Sequence, residues 1–356
     1  MILKTLEFSR ALNALSGVIP QKNVVPILDY VMISENADIV YICGSDLEKF
    51  VSISLPAMDA FSVCLPFQLL SKTIQSLDSE YVELTKEGNE VKVVSGNSVF
   101  RMMSMPTDDF PKFPDMEQSY RVEMDKAYLQ NAIKIVTPFS ANDDLRPIFS
   151  GISLIFDKEN VTFYASDSHV LMKVVYPAVS TEAFEVCVNK NVGKIMSYFD
   201  DEKVEVLVGD KFFGVRGDTV NYFSRRIEGV IPKFDTVWPQ KNDVCEVKAM
   251  SNALMKDVNL ASIYANKQSN LLKITFKNDE ALIESQDVDF STSSTVRHKC
   301  KVEGDITVGL NSQKLVSILS TLKEYPITMY MKDNRTAVVF KTIVAEGILM
   351  PMMYES

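Results

Sequence analysis

Histidines and paired carboxylates are the residues on which catalysis most often rests. The chain has only two histidines, His169 and His298, and three adjacent aspartate pairs, Asp108-Asp109, Asp143-Asp144 and Asp200-Asp201. A metal-dependent hydrolase needs such carboxylates to converge, and a general base needs a partner within hydrogen-bond reach. Spacing identifies no partner for any of the pairs, so solvated loops explain them. Asp46, Asp167 and Asp287 recur at intervals of 121 and 120 residues, one per repeat of the chain, which suits a turn or cap role rather than a shared metal. HExxH, GxSxG, GxxxxGK and GxGxxG are absent, and thirteen glycines leave few loops to cradle phosphate. His169, in ASDSHVL, reads as a structural or surface histidine. The chain therefore reads as a non-enzyme with no metal or cofactor; a metal-dependent hydrolase is the rival.

Positive charge is the other chemistry that spacing supports. Lysine and arginine collect on six helical segments, 2–22, 65–77, 125–137, 188–199, 248–267 and 310–323, which together carry +10 and leave −20 for the rest of the chain. Cations on such a surface neutralise phosphates and release counterions without reading base edges, as non-specific DNA binding requires. The candidates are Arg10, Lys22, Lys72, Lys134, Lys190, Lys194, Lys256 and Lys314, together with Arg146, and with Lys4, Lys126, Lys267 and Lys323 on the same segments.

The elements that must position these side chains form a threefold repeat of about 122 residues. Glu80-Tyr81-Val82, Glu202-Lys203-Val204 and Glu324-Tyr325-Pro326 each open an alternating apolar stretch with a polar turn, the pattern of a hairpin. A helical segment precedes each hairpin, starting at Leu65, Val188 and Leu310, and a second helix opens each repeat. Pro111-Lys112-Phe113 and Pro232-Lys233-Phe234 close the first two repeats, 121 residues apart, and Met350-Pro351-Met352 closes the third. The pattern predicts an α+β chain of three tandem domains, 1–120, 121–244 and 245–356, each with two helices and antiparallel sheets.

Composition bounds the function classes. The 356 residues suffice for two or three domains, and no 18-residue run lacks charge, which excludes a membrane-spanning helix. The N-terminal stretch, interrupted by Lys4, Glu7 and Arg10, lacks the apolar core of a secretory signal and predicts a cytoplasmic protein. Five cysteines (Cys43, Cys64, Cys187, Cys245, Cys300) without a CxxC pair read as reduced thiols. A net charge of −10 repels DNA unless the basic residues are segregated. An acidic repeat adaptor that binds proteins but no DNA is the alternative.

With this organisation in place, the residues resemble the family of the bacterial DNA polymerase III β subunit, the sliding clamps. The resemblance rests on Pro26-Ile27-Leu28, Gly44-Ser45-Asp46-Leu47-Glu48 and Phe110-Pro111 in the first repeat. It rests on Ala165 to Leu171 and Ser224 to Pro239 in the second, and on Leu349-Met350-Pro351-Met352 in the third. It implies a head-to-tail homodimer, a six-domain ring whose helices face duplex DNA, loaded by a separate ATP-driven loader. It also implies a pocket between the second and third domains that takes short apolar peptides of polymerases and repair proteins. The matching pocket positions are Phe149, Ser166, His169, Leu171, Pro232, Val237, Ile348, Met350, Pro351 and Met352; those matching the subunit boundary are Phe100, Met102, Ile263 and Tyr264. Two positions depart from the pattern. Val170 stands where relatives usually carry Arg, and the chain ends Met352-Met353-Tyr354-Glu355-Ser356 where they end close to Met-Pro-x-Arg-Leu. The departures predict a less basic pocket rim and a preference shifted toward apolar contacts.

Overall fold

Apolar residues three and four apart make the opening helix of the chain one-sided: Phe8, Ala11, Leu12 and Leu15 are buried, and Ser16-Gly17 ends it. The structure, a computed structural model, describes residues 1–20, 24–143, 145–239, 245–287 and 289–354.

The first repeat runs β1 (Ile2–Lys4), α1 (Thr5–Leu15), β2 (Tyr30–Asn36), β3 (Ile39–Ser45), β4 (Lys49–Pro56), β5 (Val63–Pro66), α2 (Phe67–Gln75), β6 (Tyr81–Glu87), β7 (Glu90–Ser95) and β8 (Ser98–Met103). The second runs β9 (Tyr120–Asp125), α3 (Lys126–Val136), α4 (Pro147–Ser150), β10 (Gly151–Phe156), β11 (Asn160–Ser166), β12 (Val170–Pro177), β13 (Phe184–Asn189), α5 (Val192–Ile195), β14 (Lys203–Val208), β15 (Phe212–Arg216) and β16 (Val220–Arg225). The third runs β17 (Cys245–Met250), α6 (Ser251–Ser262), β18 (Leu271–Lys277), β19 (Glu280–Asp287), β20 (Thr292–Lys299), β21 (Lys301–Glu303), β22 (Ile306–Asn311), α7 (Ser312–Thr321), β23 (Pro326–Met331), β24 (Val338–Lys341) and β25 (Glu346–Leu349).

One element falls short of the expectation. The second helix of the middle repeat is a single α turn, α5, followed by a 3-10 turn over Met196–Tyr198. Asn191 and Gly193 weaken helix formation there, whereas the equivalent α2 is rich in Leu, Gln and Lys.

The strands form four antiparallel sheets, ordered β1-β6-β7-β8, β5-β2-β3-β4-β16-β15-β14-β9, β13-β10-β11-β12-β25-β24-β23-β17-β21 and β20-β19-β18-β22. The two long sheets are each built from two repeats. β4 joins β16 with Phe50 opposite Phe223, and β12 joins β25 with Leu171 opposite Ile348. Because each long sheet merges two repeats, the chain packs as two compact units that divide the middle repeat. One comprises Met1–Gln130, Ala178–Ser180 and Asn191–Arg226; the other comprises Asn131–Pro177, Thr181–Lys190 and the chain from Ile227 onward.

Alternation along the strands fills each core. In the first unit Val82, Leu84, Val91 and Val93 of the strands and Phe8, Leu12 and Leu70 of the helices are essentially fully buried; in the second, so are Ile274, Ile283 and Val308 of the strands and Leu254, Val258 and Leu315 of the helices. Each such side chain contributes about 1.5–3 kcal/mol. The Ser-Asp landmarks are turns. Asp46 Oδ1 accepts from the N–H of Glu48 and Lys49, and Asp167 Oδ1 accepts from those of His169 and Val170. The two turns share a positive φ, +73° at Leu47 and +77° at Ser168, which their hydrogen bonds hold. Among the described residues no helix is long and apolar enough to cross a membrane.

Candidate functional site

The joint of β12 with β25 gathers the peptide-pocket positions. Leu171 and Ile348 are buried side by side with Tyr164, Cys187, Ile231, Phe234 and Ala337, and Phe149, Trp238 and Val339 pack against them. Tyr164 stacks on Phe234 with centroids 5.0 Å apart. Val237 ends a 3-10 turn over Phe234–Val237 and is 53% exposed; His169 and Met350 are also exposed, and Pro232 is half-buried. Ser166 is buried, its hydroxyl donating to the Val170 carbonyl at 2.7 Å. The closing segment is fixed at two points: Met350 N–H donates to the His169 carbonyl at 2.9 Å, and Met352 N–H to the Gly309 carbonyl at 2.8 Å. A Cβ on Gly309 would lie 2.4 Å from the Met352 carbonyl oxygen, so only glycine lets the tail approach.

The polar frame of this joint was not legible in the sequence. Lys173 Nζ and the Tyr164 hydroxyl both donate to Asp235 Oδ1, at 2.8 and 2.7 Å. The same ammonium lies 5.6 Å from the Tyr164 ring and 5.5 Å from that of Trp238. Lys173 holds the Asp235 carboxyl below the usual range, and burial, then Asp235, push the Tyr164 phenol up. Partners 62 and 71 residues apart leave no local signal.

Two expectations about the rim change. Val170 is 2% exposed and sits opposite Leu349 in the sheet, so it is core rather than rim and says nothing of rim charge. Arg146, grouped with the DNA candidates, instead lies 5.3 Å over the Phe149 ring, pairs with Asp143 at 2.8 Å and donates to the Ser168 hydroxyl at 2.9 Å. It places a cation at the pocket edge.

The DNA candidates divide by what holds them. Lys72, Lys134, Lys194 and Lys256 are exposed and, among the described residues, form no ion pair. Lys190 donates to the Ala141 carbonyl and Asn142 Oδ1, neutral acceptors that leave its charge in place. Arg10 is held by Asp200 in a two-pronged pair, both contacts 2.7 Å. Lys314 is bound to Asp167, so its charge is neutralised within the second unit. Lys22 lies outside the described residues. Among the described residues no group of three His, Cys, Asp or Glu side chains converges as a metal site.

Of the dimer candidates, Phe100 and Met102 lie on β8, and Ile263 and Tyr264 follow the helix that packs on β20; among the described residues each of these two strands is hydrogen-bonded on one side only. Phe100 is half-buried on β8. Met102, on the same face, is 3% exposed, so its side chain belongs to this chain's own core rather than to a contact surface. Ile263 and Tyr264 follow α6, which packs on β20, and are 71% and 46% exposed.

Comparison with known proteins shows the family and the fold. Residues 1–114 match the family description "DNA polymerase III beta subunit, N-terminal domain", and residues 123–233 match "DNA polymerase III beta subunit, central domain". The chain is 22% identical to the beta sliding clamps of Staphylococcus epidermidis and Staphylococcus aureus, with 88% of each chain covered. Its fold is that of the sliding clamp of Pseudomonas aeruginosa bound to griselimycin (TM-score 0.94, 18% identity) and of the DNA polymerase III beta subunit of Thermotoga maritima (TM-score 0.91, 20% identity). In both cases 99% of each chain is covered. The two matched domains span well over half of the sequence, and the chain belongs to the DNA polymerase III beta subunit family.

Proposed function

We propose that the chain is a DNA polymerase processivity factor: two copies close head to tail into a ring of six domains around duplex DNA, and partner proteins dock short apolar peptides at the joint of β12 and β25. The names of the relatives, beta sliding clamps, support this reading. The observation that carries it is a missing third joint. β4 is filled by β16 and β12 by β25, and the repeat makes β20 equivalent to β4 and β12, and β8 equivalent to β16 and β25. β20 and β8 are left as edges, and unpaired backbone groups at an edge are a template for another chain. A head-to-tail contact that closes by rotation yields a ring.

The two filled joints give the register of the third. Phe50 opposite Phe223 and Leu171 opposite Ile348 translate, strand by strand, into Arg101 of one copy opposite Ser293 of the next, and Val99 opposite Thr295. Phe100 then meets Ser294, whose hydroxyl donates to the Ala261 carbonyl near the exposed end of α6, where Ile263 and Tyr264 wait. The repeats 1–120, 121–244 and 245–356, three from each of two copies, make the six domains of the ring. DNA is held by enclosure, so Lys72, Lys134, Lys194 and Lys256 need only weak, sliding phosphate contacts. Loading falls to a separate ATP-driven protein.

Val99→Cys with Thr295→Cys tests the register. Under mild oxidation the double variant is expected to cross-link into a covalent dimer on a denaturing gel, and each single variant is not. Monomer alone from the double variant would contradict the third joint.

A further inference from the structure

The joint of β4 with β16 is a second edition of the pocket joint, residue for residue. Phe50 corresponds to Leu171 and Phe223 to Ile348, by strand register; Cys43, Cys64, Phe110 and Phe113 correspond to Tyr164, Cys187, Ile231 and Phe234. Met116 stands three residues after Phe113 as Val237 does after Phe234, and Phe212 and Ala337 occupy the same place in the equivalent hairpins β14–β15 and β23–β24.

The two editions are packed differently. At five of these positions the first joint carries the larger side chain, Phe50 for Leu171, Phe223 for Ile348, Phe110 for Ile231, Met116 for Val237 and Phe212 for Ala337, and at one the smaller, Cys43 for Tyr164. Met116 is 6% exposed where Val237 is 53% exposed. Phe50 contacts Phe113 and Phe212 with centroids 5.5 and 5.9 Å apart, and Phe113 meets Phe223 edge-on at 6.3 Å, so the rings of Phe50, Phe212 and Phe223 gather around Phe113 where the second joint sets Leu171, Ala337 and Ile348 around Phe234. A surface hollow of about 430 Å³ lies over this cluster, with Met116 and Phe212 in its wall beside Asp115, Glu117 and Asp210.

We propose that the first joint is a copy of the docking pocket stoppered by Met116 and Phe212, so that each chain offers one peptide site, at the second joint. The inference rests on the reading of that joint as the peptide site. The stopper side chains fill the space that a partner's apolar anchors take at the second joint, and with Met116 buried and Phe212 partly buried there, a peptide gains less from burying its own side chains. Specificity between two nearly equivalent sites is then set by occupation from within rather than by a difference at the rim.

Exchanging residues between the joints tests it, by calorimetric titration with an uncharged, acetylated and amidated pentapeptide carrying Leu and Phe side chains. The wild type is expected to bind one peptide per chain. Met116→Val with Phe212→Ala gives the first joint the residues of the second and is expected to bind two. Val237→Met with Ala337→Phe gives the second joint the stopper and is expected to weaken binding about tenfold or more while the melting temperature holds. A folded first exchange that still binds one peptide, or a reverse exchange that binds as the wild type does, would overturn the stopper. Should the first exchange fail to fold, the reverse exchange decides alone. Two peptides per wild-type chain would refute the stopper and leave the docking reading intact; no binding by the wild type would refute the docking reading itself.

Discussion

A cation on a helix serves DNA only as far as no carboxylate already holds it. Arg10 is held by Asp200, and Arg10 in turn keeps the Asp200 carboxyl below the usual range. Both groups are about half exposed or more, so the pair contributes little to stability, and its effect falls on charge available to phosphate. Lys72 has no such partner among the described residues. In salt titrations of DNA binding, Lys72→Ala is expected to flatten the slope by about 0.9 and Asp200→Asn to steepen it, because one removes a phosphate contact and the other frees one. Slopes that move in the same direction would remove Arg10 or Lys72 from the DNA surface.

The Lys314 to Asp167 pair is partly buried and acts on stability instead. Burial opposes the charged form of Asp167, but Lys314 and the backbone N–H groups of Val170 and His169 outweigh it and hold the carboxyl below its ordinary 3.8. A carboxyl depressed on folding stabilises above its unfolded value and loses that contribution as pH falls through the folded one. Lys314→Met is therefore expected to lower unfolding free energy by about 1–2 kcal/mol at pH 7, with the gap to wild type closing as the pH falls below the ordinary 3.8 and through the lowered value of the folded carboxyl. A pH-independent gap would contradict the pair. The turn role of Asp167 was legible because Ser-Asp recurs at the repeat spacing, whereas Lys314 is 147 residues away and leaves no mark on local sequence.

Among elements, helices and hairpins follow the two apolar periods, and most are where the sequence places them. Periodicity could not reveal that α5 is a single turn, since Val192 and Ile195 still fall on one apolar face; the deficit comes from Gly193 and Asn191. Nor does alternation say which strand neighbours which. β8 and β20 read as ordinary strands, and only the sheet order exposes them as edges. That order also separates Phe100 from Met102: both sit on one face of β8, yet Met102 is committed to its own core. Ile263→Ala with Tyr264→Ala removes apolar area beside β20 and is expected to raise the dimer dissociation constant at least about tenfold in sedimentation equilibrium. An unchanged constant would move the interface away from the end of α6.

At the scale of the molecule, the threefold repeat was the most legible feature, because five kinds of landmark share one interval. The division into two compact units was not, because it arises from sheets that run across repeat boundaries and are held by backbone pairing, which side-chain patterning does not encode. The charge balance, +10 on helical segments against −20 elsewhere, is a property of the same scale: it suits phosphate contact through the helical segments rather than through the rest of the chain.

Enclosure differs from adhesion in what salt can undo. The chain would be loaded on nicked circular DNA by a cognate loader with ATP, beside a control clamp, washed in high salt, and the DNA then cut once. Salt removes phosphate contacts but does not open a ring. The protein is expected to survive the wash on circles and to leave when they are linearised. Loss from intact circles while the control clamp stays would contradict the ring, and retention on cut DNA would contradict sliding.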